Sequence, residues 1–260
     1  HADADELGKL YRPAQAIHAT PQAFAAALNA VRPQANVPWK AHTEAAHADY
    51  LAWSDPAPIR IPGALQMGEV MQHLRATLPA DTIFCNGAGN FATWVHRFWR
   101  FRRFATQAAP VSGTMGYGLP AALGAKVGCP DSPVVLFSGD GSIMMNCQEF
   151  ATIADNDIDV KVVVIRNEIL GMVGQWQRLF YNHHYSQSEL KGKTDLVKLA
   201  EAMGVKGYRL TKKEELETRL PEILSEKGAV LIDVVIPEEE DVLPMVPGGK
   251  RLDQMVLGYL

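Results

Sequence analysis

The sequence is poor in the features that mark several large classes of protein. It has three cysteines, Cys85, Cys129 and Cys147. An odd count without CxxC spacing argues against a disulfide framework and against a thiolate zinc site, and reduced thiols fit a cytoplasmic protein. No apolar run approaches the ~18 residues of a membrane span. No secretory signal is legible, since His1 opens an acidic stretch, HADADELGK. Basic residues are not in excess: 25 Lys+Arg stand against 29 Asp+Glu, a net charge of −4, which leaves no footprint for nucleic acid or an anionic membrane. What remains, 47% hydrophobic and 21% charged over 260 residues, fits one or two globular domains with a sizeable core.

The most informative stretch runs from Val134 to Gly171. Val134–Phe137 reads as a buried parallel strand. It breaks at Gly139-Asp140-Gly141-Ser142, where two glycines permit a tight turn and close approach of a ligand. Ser142 is a good cap for a following amphipathic helix with Met145, Phe150 and Ile153 on its apolar side. A second buried strand, Val160–Ile165, ends at Asn167. Parallel pairing of the two strands sets Asp140 beside Asn167 at their carboxyl ends, where open α/β sheets bind ligands. A carboxylate, an amide oxygen and a loop carbonyl make a hard oxygen site suited to Mg²⁺. The Gly141 and Ser142 amides at a helix start suit an anion. Together these suggest a metal-bridged diphosphate; an ordinary Gly-rich crossover would not need Asn-x-x-Leu-Gly at the next strand end.

Elsewhere the chain alternates. Thr20-Pro21 starts a helix with Phe24, Ala25, Leu28 and Val31 on one face, and a second helix runs from about Trp39 to Trp53. His18, His42 and His47 match no common metal spacing. Ser54–Gly63, with Pro56, Pro58 and Pro62, is a linker and a domain boundary. Helix Gln66–Thr77 leads to strand Thr82–Asn86. There Gly87-Ala-Gly-Asn-Phe-Ala92 offers a competing dinucleotide fingerprint. That reading lacks its ribose acid, because no Asp or Glu lies between Asp81 and Asp131, although Arg100, Arg102 or Arg103 could serve the 2′-phosphate of NADP. The run His96–Phe104 interleaves arginines with aromatics; in an acidic chain these read as snorkelling arginines on a helix or subunit interface. A helix of small residues spans Ala121–Gly128. Helix Asp195–Met203, strand Gly207–Leu210, helix Lys213–Leu224 and strand Val230–Ile236 complete the pattern. The fold class is α/β, a doubly wound, mainly parallel sheet with helices on both faces.

SGTMGYGLPAALGAKVG at 112–128, GDGSIMMNCQEF at 139–150, ILGMVGQWQRLFY at 169–181, DLVKLAEAMGV at 195–205 and VLPMVPGG at 242–249 resemble thiamine-diphosphate enzymes, acetolactate synthases in particular. The resemblance covers roughly Pro62 to the C-terminus. It implies thiamine diphosphate and Mg²⁺ as cofactors, with Asp140, Asn167 and the Ile169 carbonyl on the metal. Gly89, Asn90, Thr114, Gly141, Ser142, Leu170, Gly171 and Met172 would then lie along the cofactor. It further implies that Met115 supports the thiazolium in a bent cofactor and that the Gly113 carbonyl accepts the aminopyrimidine amine. Met172, Val173 and Trp176 would line the substrate channel. Two departures stand out. The first of the family's paired asparagines is Arg166, and its Gly-Gln-His-Gln segment aligns with Gly89, Asn90, Phe91 and Ala92; Phe91 cannot replace an imidazole.

The same resemblance assigns 1–53 to the end of a preceding middle domain, 64–240 to the diphosphate-side domain and 241–260 to a tail that covers the site. It implies decarboxylation of pyruvate with carboligation to a second 2-oxo acid. A decarboxylase, a non-catalytic cofactor-binding fragment and an NADP oxidoreductase remain alternatives. The activating glutamate would come from the pyrimidine-side domain of a partner subunit in a homodimer or homotetramer. The resemblance leaves room for FAD as a further cofactor of the intact protein, in a domain mostly outside this chain. Residues 1–260 alone are expected to bind thiamine diphosphate weakly and to turn over no pyruvate.

Overall fold

A computed structural model describes residues 1–33, 35–61, 63–238 and 241–257. Pro62 of the expected linker, Glu239 and Glu240 at the end of the expected 64–240 domain, and the last three residues of the tail lie outside the described residues. The chain divides into two compact units, His1–Tyr50 and Leu51–Leu260.

In the first unit, helix α1 (Pro21–Asn29) starts as the sequence demands: Thr20 Oγ1 accepts the Ala23 amide at 3.2 Å and Pro21 occupies the first turn, where its missing N–H costs nothing. Helix α2 spans Lys40–Trp53. Neither helix buries a residue; Phe24, Leu28, Val31 and Trp39 are all exposed.

In the second unit, α3 (Met67–Thr77) precedes β1 (Ile83–Asn86), α4 (Asn90–Phe98) and a two-residue strand β2 (Gln107–Ala108). Helix α5 (Gly118–Gly128), β3 (Val134–Gly139), a single helical turn α6 (Asp140–Ile143), α7 (Glu149–Asp155) and β4 (Lys161–Arg166) follow. The chain continues through α8 (Gly171–Phe180), α9 (Leu196–Ala202), β5 (Lys206–Leu210), α10 (Glu214–Thr218), α11 (Leu220–Ser225) and β6 (Val230–Val235). The six strands are ordered β2-β1-β3-β4-β6-β5 and every pairing is parallel.

Strand alternation builds two cores. Phe84, Val135, Phe137, Val163, Ile165, Ile232 and Val234 point to one face, against α3, α4, α10 and α11. Cys85, Leu136, Val162, Val164 and Leu231 point to the other, against α5, α7 and α9. A sheet buried on both faces explains why the strands read as unbroken apolar runs. Burying each large apolar side chain contributes roughly 1.5–3 kcal/mol. The doubly wound α/β expectation is met, with a sheet that is wholly parallel.

Three local expectations need correction. The helix expected after Ser142 is interrupted: α6 stops at Ile143, α7 begins at Glu149, and Met145 is exposed. The break lets Asn146 Nδ2 donate to the Gly116 carbonyl at 2.9 Å, fastening the 112–117 loop. Helix α5 begins at Gly118, before the expected Ala121, because Pro120 is tolerated in a first turn. The single helix expected over Lys213–Leu224 is two, parted at Arg219, since Pro221 has no amide to continue α10. Helix α4 ends at Phe98; Arg97 lies 3.3 Å over the Trp53 ring and donates to the Trp53 carbonyl, while Arg100 binds Ser54 Oγ and the Leu51 carbonyl.

Candidate cofactor site

Parallel registry brings three loops to one edge of the sheet. Asn86 pairs with Phe137 and Gly139 with Ile165, so the turns after β1, β3 and β4 emerge together. Asp140 therefore meets the loop that carries Asn167. Its Oδ1 accepts the Gly141 amide and its Oδ2 accepts the Glu168 amide, each at 2.8 Å. Burial pushes this carboxyl above its ordinary value, against the pull of those two amides and of the Arg166 charge. Glu168 adopts a left-handed backbone, φ +58°, which a non-glycine residue takes only when its neighbours hold it there. Asn167 Oδ1 accepts the Ile169 amide at 3.4 Å. An antiparallel bridge joins Ile169 to Glu189 through Leu170 N–H to the Ser188 carbonyl and Leu190 N–H to the Glu168 carbonyl, both 2.7 Å. The Ile169 carbonyl stays outside that ladder.

These loops enclose a cavity of about 290 Å³. Asp140, Gly141, Ser142, Asn167, Ile169, Leu170 and Gly171 line it, as do Gly89, Asn90, Gly113 and Met115 from the other loops and Met172, Val173 and Trp176 from α8. Thr114 is not among the lining residues. Ser142 does not cap a helix: Gly139 holds that position, and the buried Ser142 hydroxyl donates to the Ala88 carbonyl at 3.2 Å. The Gly141 amide is engaged by Asp140 and does not stand open to an anion.

Three residues of this site had no signal, or the wrong one, in the sequence. Gln175 is buried; its Oε1 accepts Asn90 Nδ2 at 3.0 Å and the Val242 amide at 3.1 Å, and its Nε2 donates to the Val242 carbonyl at 2.8 Å. One amide hydrogen of Asn90 is thus spent inside the protein. The described tail, 241–257, contributes no lining residue. Phe91 covers the glycine turn: a Cβ on Gly89 would sit 2.6 Å from its ring, and one on Gly139 2.9 Å. The open backbone that a dinucleotide pyrophosphate would need at Gly87–Ala92 is therefore occupied by the Phe91 ring. Arg166, a departure from the family's asparagine pair, has a partner that the sequence does not announce: its Nε donates to the fully buried Asp233 at 3.0 Å.

The donor set tests the implied group. Among the described residues no three His, Cys, Asp or Glu side chains converge as a metal site. One carboxylate, one amide oxygen and a carbonyl form an incomplete shell that diphosphate oxygens and water could fill, which is the manner in which Mg²⁺ is bound with phosphates. A bare glycine completes the cradle: a Cβ on Gly171 would meet Asn167 Nδ2 at 3.3 Å and Asn90 Nδ2 at 3.5 Å. The residues fit a metal-bound diphosphate.

Residues 87–234 match the family described as thiamine pyrophosphate enzyme, C-terminal TPP binding domain. The chain belongs to this family. Among its relatives in the thiamine pyrophosphate enzymes, the mitochondrial acetolactate synthase of Schizosaccharomyces pombe is 35% identical over 264 residues, 96% of this chain and 38% of the relative. The acetolactate synthase catalytic subunit of Saccharomyces cerevisiae is 44% identical over 177 residues, 67% of this chain and 25% of the relative. The acetolactate synthase isozyme 2 large subunit of Escherichia coli is 35% identical over 261 residues, 98% of this chain and 46% of the relative. The chain therefore spans less than half the length of each. A solved structure, the thiamine diphosphate-dependent 4-hydroxybenzoylformate decarboxylase of Rhodococcus jostii RHA1, superposes with a TM-score of 0.65 at 25% identity, covering 70% of this chain and 34% of that one. Among the described residues no helix is long and apolar enough to cross a membrane.

Proposed function

We propose that this chain is the diphosphate-side part of a Mg²⁺- and thiamine-diphosphate-dependent enzyme that decarboxylates pyruvate and joins the remaining two-carbon unit to a second 2-oxo acid, as the names of its acetolactate synthase relatives suggest. The observation that carries this reading is the meeting of Asp140 and Asn167 at one end of a parallel sheet, in a cavity otherwise walled by Met115, Leu170, Met172 and Trp176. Asp140, Asn167 and the Ile169 carbonyl would hold Mg²⁺; Gly89, Asn90, Thr114, Gly171 and the neighbouring Gly141, Ser142, Leu170 and Met172 would lie along the cofactor. When bound, thiamine diphosphate supplies an electron sink for the carbon that loses CO₂. Met115 would press on the thiazolium from below, and the Gly113 carbonyl would orient the aminopyrimidine. Met172, Val173 and Trp176, each partly exposed on α8, would shape the path of the acceptor acid. Covered by the partner domain, these apolar side chains would limit water at the reacting carbon and favour capture by the acceptor over loss to solvent.

Among the described residues Asp140 is the one acid that lines the cavity. The glutamate that activates the aminopyrimidine is accordingly assigned to the first domain of a partner subunit, in a homodimer or homotetramer. Exposed Phe104, Val111 and Met145 offer that partner apolar surface. Residues 1–53 end a preceding domain, 54–63 link it to a cofactor domain over 64–240, and 241–260 form a tail; the three free thiols suit a cytoplasmic location.

In the full-length protein, Asp140→Ala should abolish Mg²⁺-dependent binding of thiamine diphosphate in calorimetry, because the diphosphate loses its compensating cation; unchanged affinity would refute the assignment. A second reading, simple decarboxylation, is favoured by Phe91 at the cradle and by the decarboxylase neighbour. Mass spectrometry of products from pyruvate separates them: acetolactate supports the carboligase, and acetaldehyde alone supports the decarboxylase.

A further inference from the structure

Arg166 stands where the family resemblance leads one to expect an asparagine, and the structure gives its guanidinium two attachments. Its Nε donates to Asp233 Oδ1 at 3.0 Å, on the neighbouring strand β6. Its Nη1 lies 3.4 Å from Glu168 Oε1. Asn167 lies in the chain between Arg166 and Glu168, whose side chains are thus tied across it. Asp233 is fully buried and is shared: Arg209 Nε donates to its other oxygen at 2.8 Å, and Arg209 Nη2 continues to Asp195 at 2.6 Å. The result is an alternating row of charges, Asp195, Arg209, Asp233, Arg166 and Glu168, whose last member donates its backbone amide to the carboxylate of Asp140.

The row has two arginines with different reach. Arg209 joins β5 to β6 and to the first turn of α9, away from the cavity. Arg166 fastens the loop itself. Glu168 keeps a left-handed backbone that is unfavourable for a non-glycine residue, and in that conformation its amide reaches Asp140 Oδ2. A single asparagine in place of Arg166 would be too short to hold both Asp233 and Glu168.

We propose that Arg166 is a positioning residue for the metal centre. By anchoring to Asp233 on β6 and to Glu168 across Asn167, it holds the Asn167 oxygen and the Asp140 carboxylate in one mutual orientation, so that a divalent cation finds both ligands in place. The proposal rests on the thiamine-diphosphate reading and extends it to a residue that lies outside the cavity lining.

The test compares two charge-removing variants of the full-length protein, Arg166→Gln and Arg209→Gln. Two quantities are read: the melting temperature without ligands, and the Mg²⁺ concentration that half-saturates thiamine diphosphate binding in calorimetry. Both variants lower the melting temperature, since each removes a partner of buried Asp233. Only Arg166→Gln raises the Mg²⁺ requirement, by about tenfold or more, the usual scale for loss of an outer-shell partner of a metal ligand. An unchanged requirement in Arg166→Gln, or an equal rise in Arg209→Gln, overturns the proposal. If Arg166→Gln does not fold, Glu168→Gln breaks only the outer attachment, and it too must raise the requirement; an unchanged value overturns the proposal. Wild-type protein that binds no thiamine diphosphate at any Mg²⁺ concentration overturns the cofactor reading itself.

Discussion

Replacing Gly171 by alanine should make the protein more stable and a poorer binder of its cofactor. Gly171 opens α8 and does not have a left-handed backbone, so alanine can adopt its conformation. The substitution restricts the unfolded chain and contributes about 0.4–1 kcal/mol of stability. In a chain of this size that is a rise of about 1–4 °C in melting temperature. Against it stands a crowded cradle. The new Cβ would lie 3.3 Å from Asn167 Nδ2, 3.5 Å from Asn90 Nδ2 and 3.7 Å from Asn90 Cβ. Asn90 cannot retreat freely, because its amide is tied to buried Gln175. Asn167 must therefore yield by a few tenths of an ångström, while metal–ligand distances tolerate only about ±0.2 Å. A loss of about tenfold in Mg²⁺-dependent affinity, or ~1.4 kcal/mol, is the expected scale. Differential scanning fluorimetry without ligands and calorimetry with Mg²⁺ and thiamine diphosphate measure the two effects separately. A higher melting temperature with unchanged affinity would refute the claim that the bare glycine serves the asparagines; a lower melting temperature would show that the cradle cannot yield at all.

Burial pushes the Cys85 thiol up to about 12, whereas Cys129 is exposed and Cys147 is intermediate. A thiol reagent at mildly alkaline pH should therefore modify Cys129 first and Cys147 more slowly, and reach Cys85 only in denaturant; rapid labelling of Cys85 in the native protein would contradict the packing of β1. Burial also pushes the Asp195 carboxyl up, but the Arg209 hydrogen bond and the Lys198 and Val197 amides outweigh it and hold the group below its ordinary 3.8. A depressed carboxylate gives stability that is present above 3.8 and is lost as pH falls through the lower folded value. Asp195→Asn should accordingly melt below wild type near neutrality, with the difference closing in acid; a constant gap across that range would show that the charge is not the cause.

How much of this was legible depended on whether a residue's signal was local. The pairing of Asp140 with Asn167 could be read because strands buried on both faces are continuous apolar runs, and a parallel pair leaves only one edge where their exits can meet. The break between Ile143 and Glu149 could not, since Met145, Phe150 and Ile153 keep helical spacing straight through it and only the distant Gly116 carbonyl explains why the chain opens. Strand β2 is two residues long, too short for any period. Pro221 did carry a readable signal that α10 and α11 are separate helices. The bonds of Gln175 to Asn90 and of Arg166 to Asp233 join residues 85 and 67 positions apart, and no pattern within one helix or strand announces such partners.

The antiparallel bridge between Ile169 and Glu189 has a kinetic meaning. Leu170 and Leu190 each donate their amide to the opposite segment, so neither bond can open without loosening the other. The stretch between them carries α8, whose Gly171, Met172, Val173 and Trp176 line the cavity, then turns back through three left-handed residues, Asn182, His183 and Gln187, and makes a hoop that closes on the ligand loop. Amide hydrogens of Leu170 and Leu190 should thus exchange with solvent at a common rate, set by the opening of the hoop as one cooperative unit. The lifetime of the loop that carries Asn167 is governed by a segment whose returning limb, 177–189, holds no residue that lines the cavity, and sequence drift along that limb can tune how long the site stays formed without altering any group that lines it.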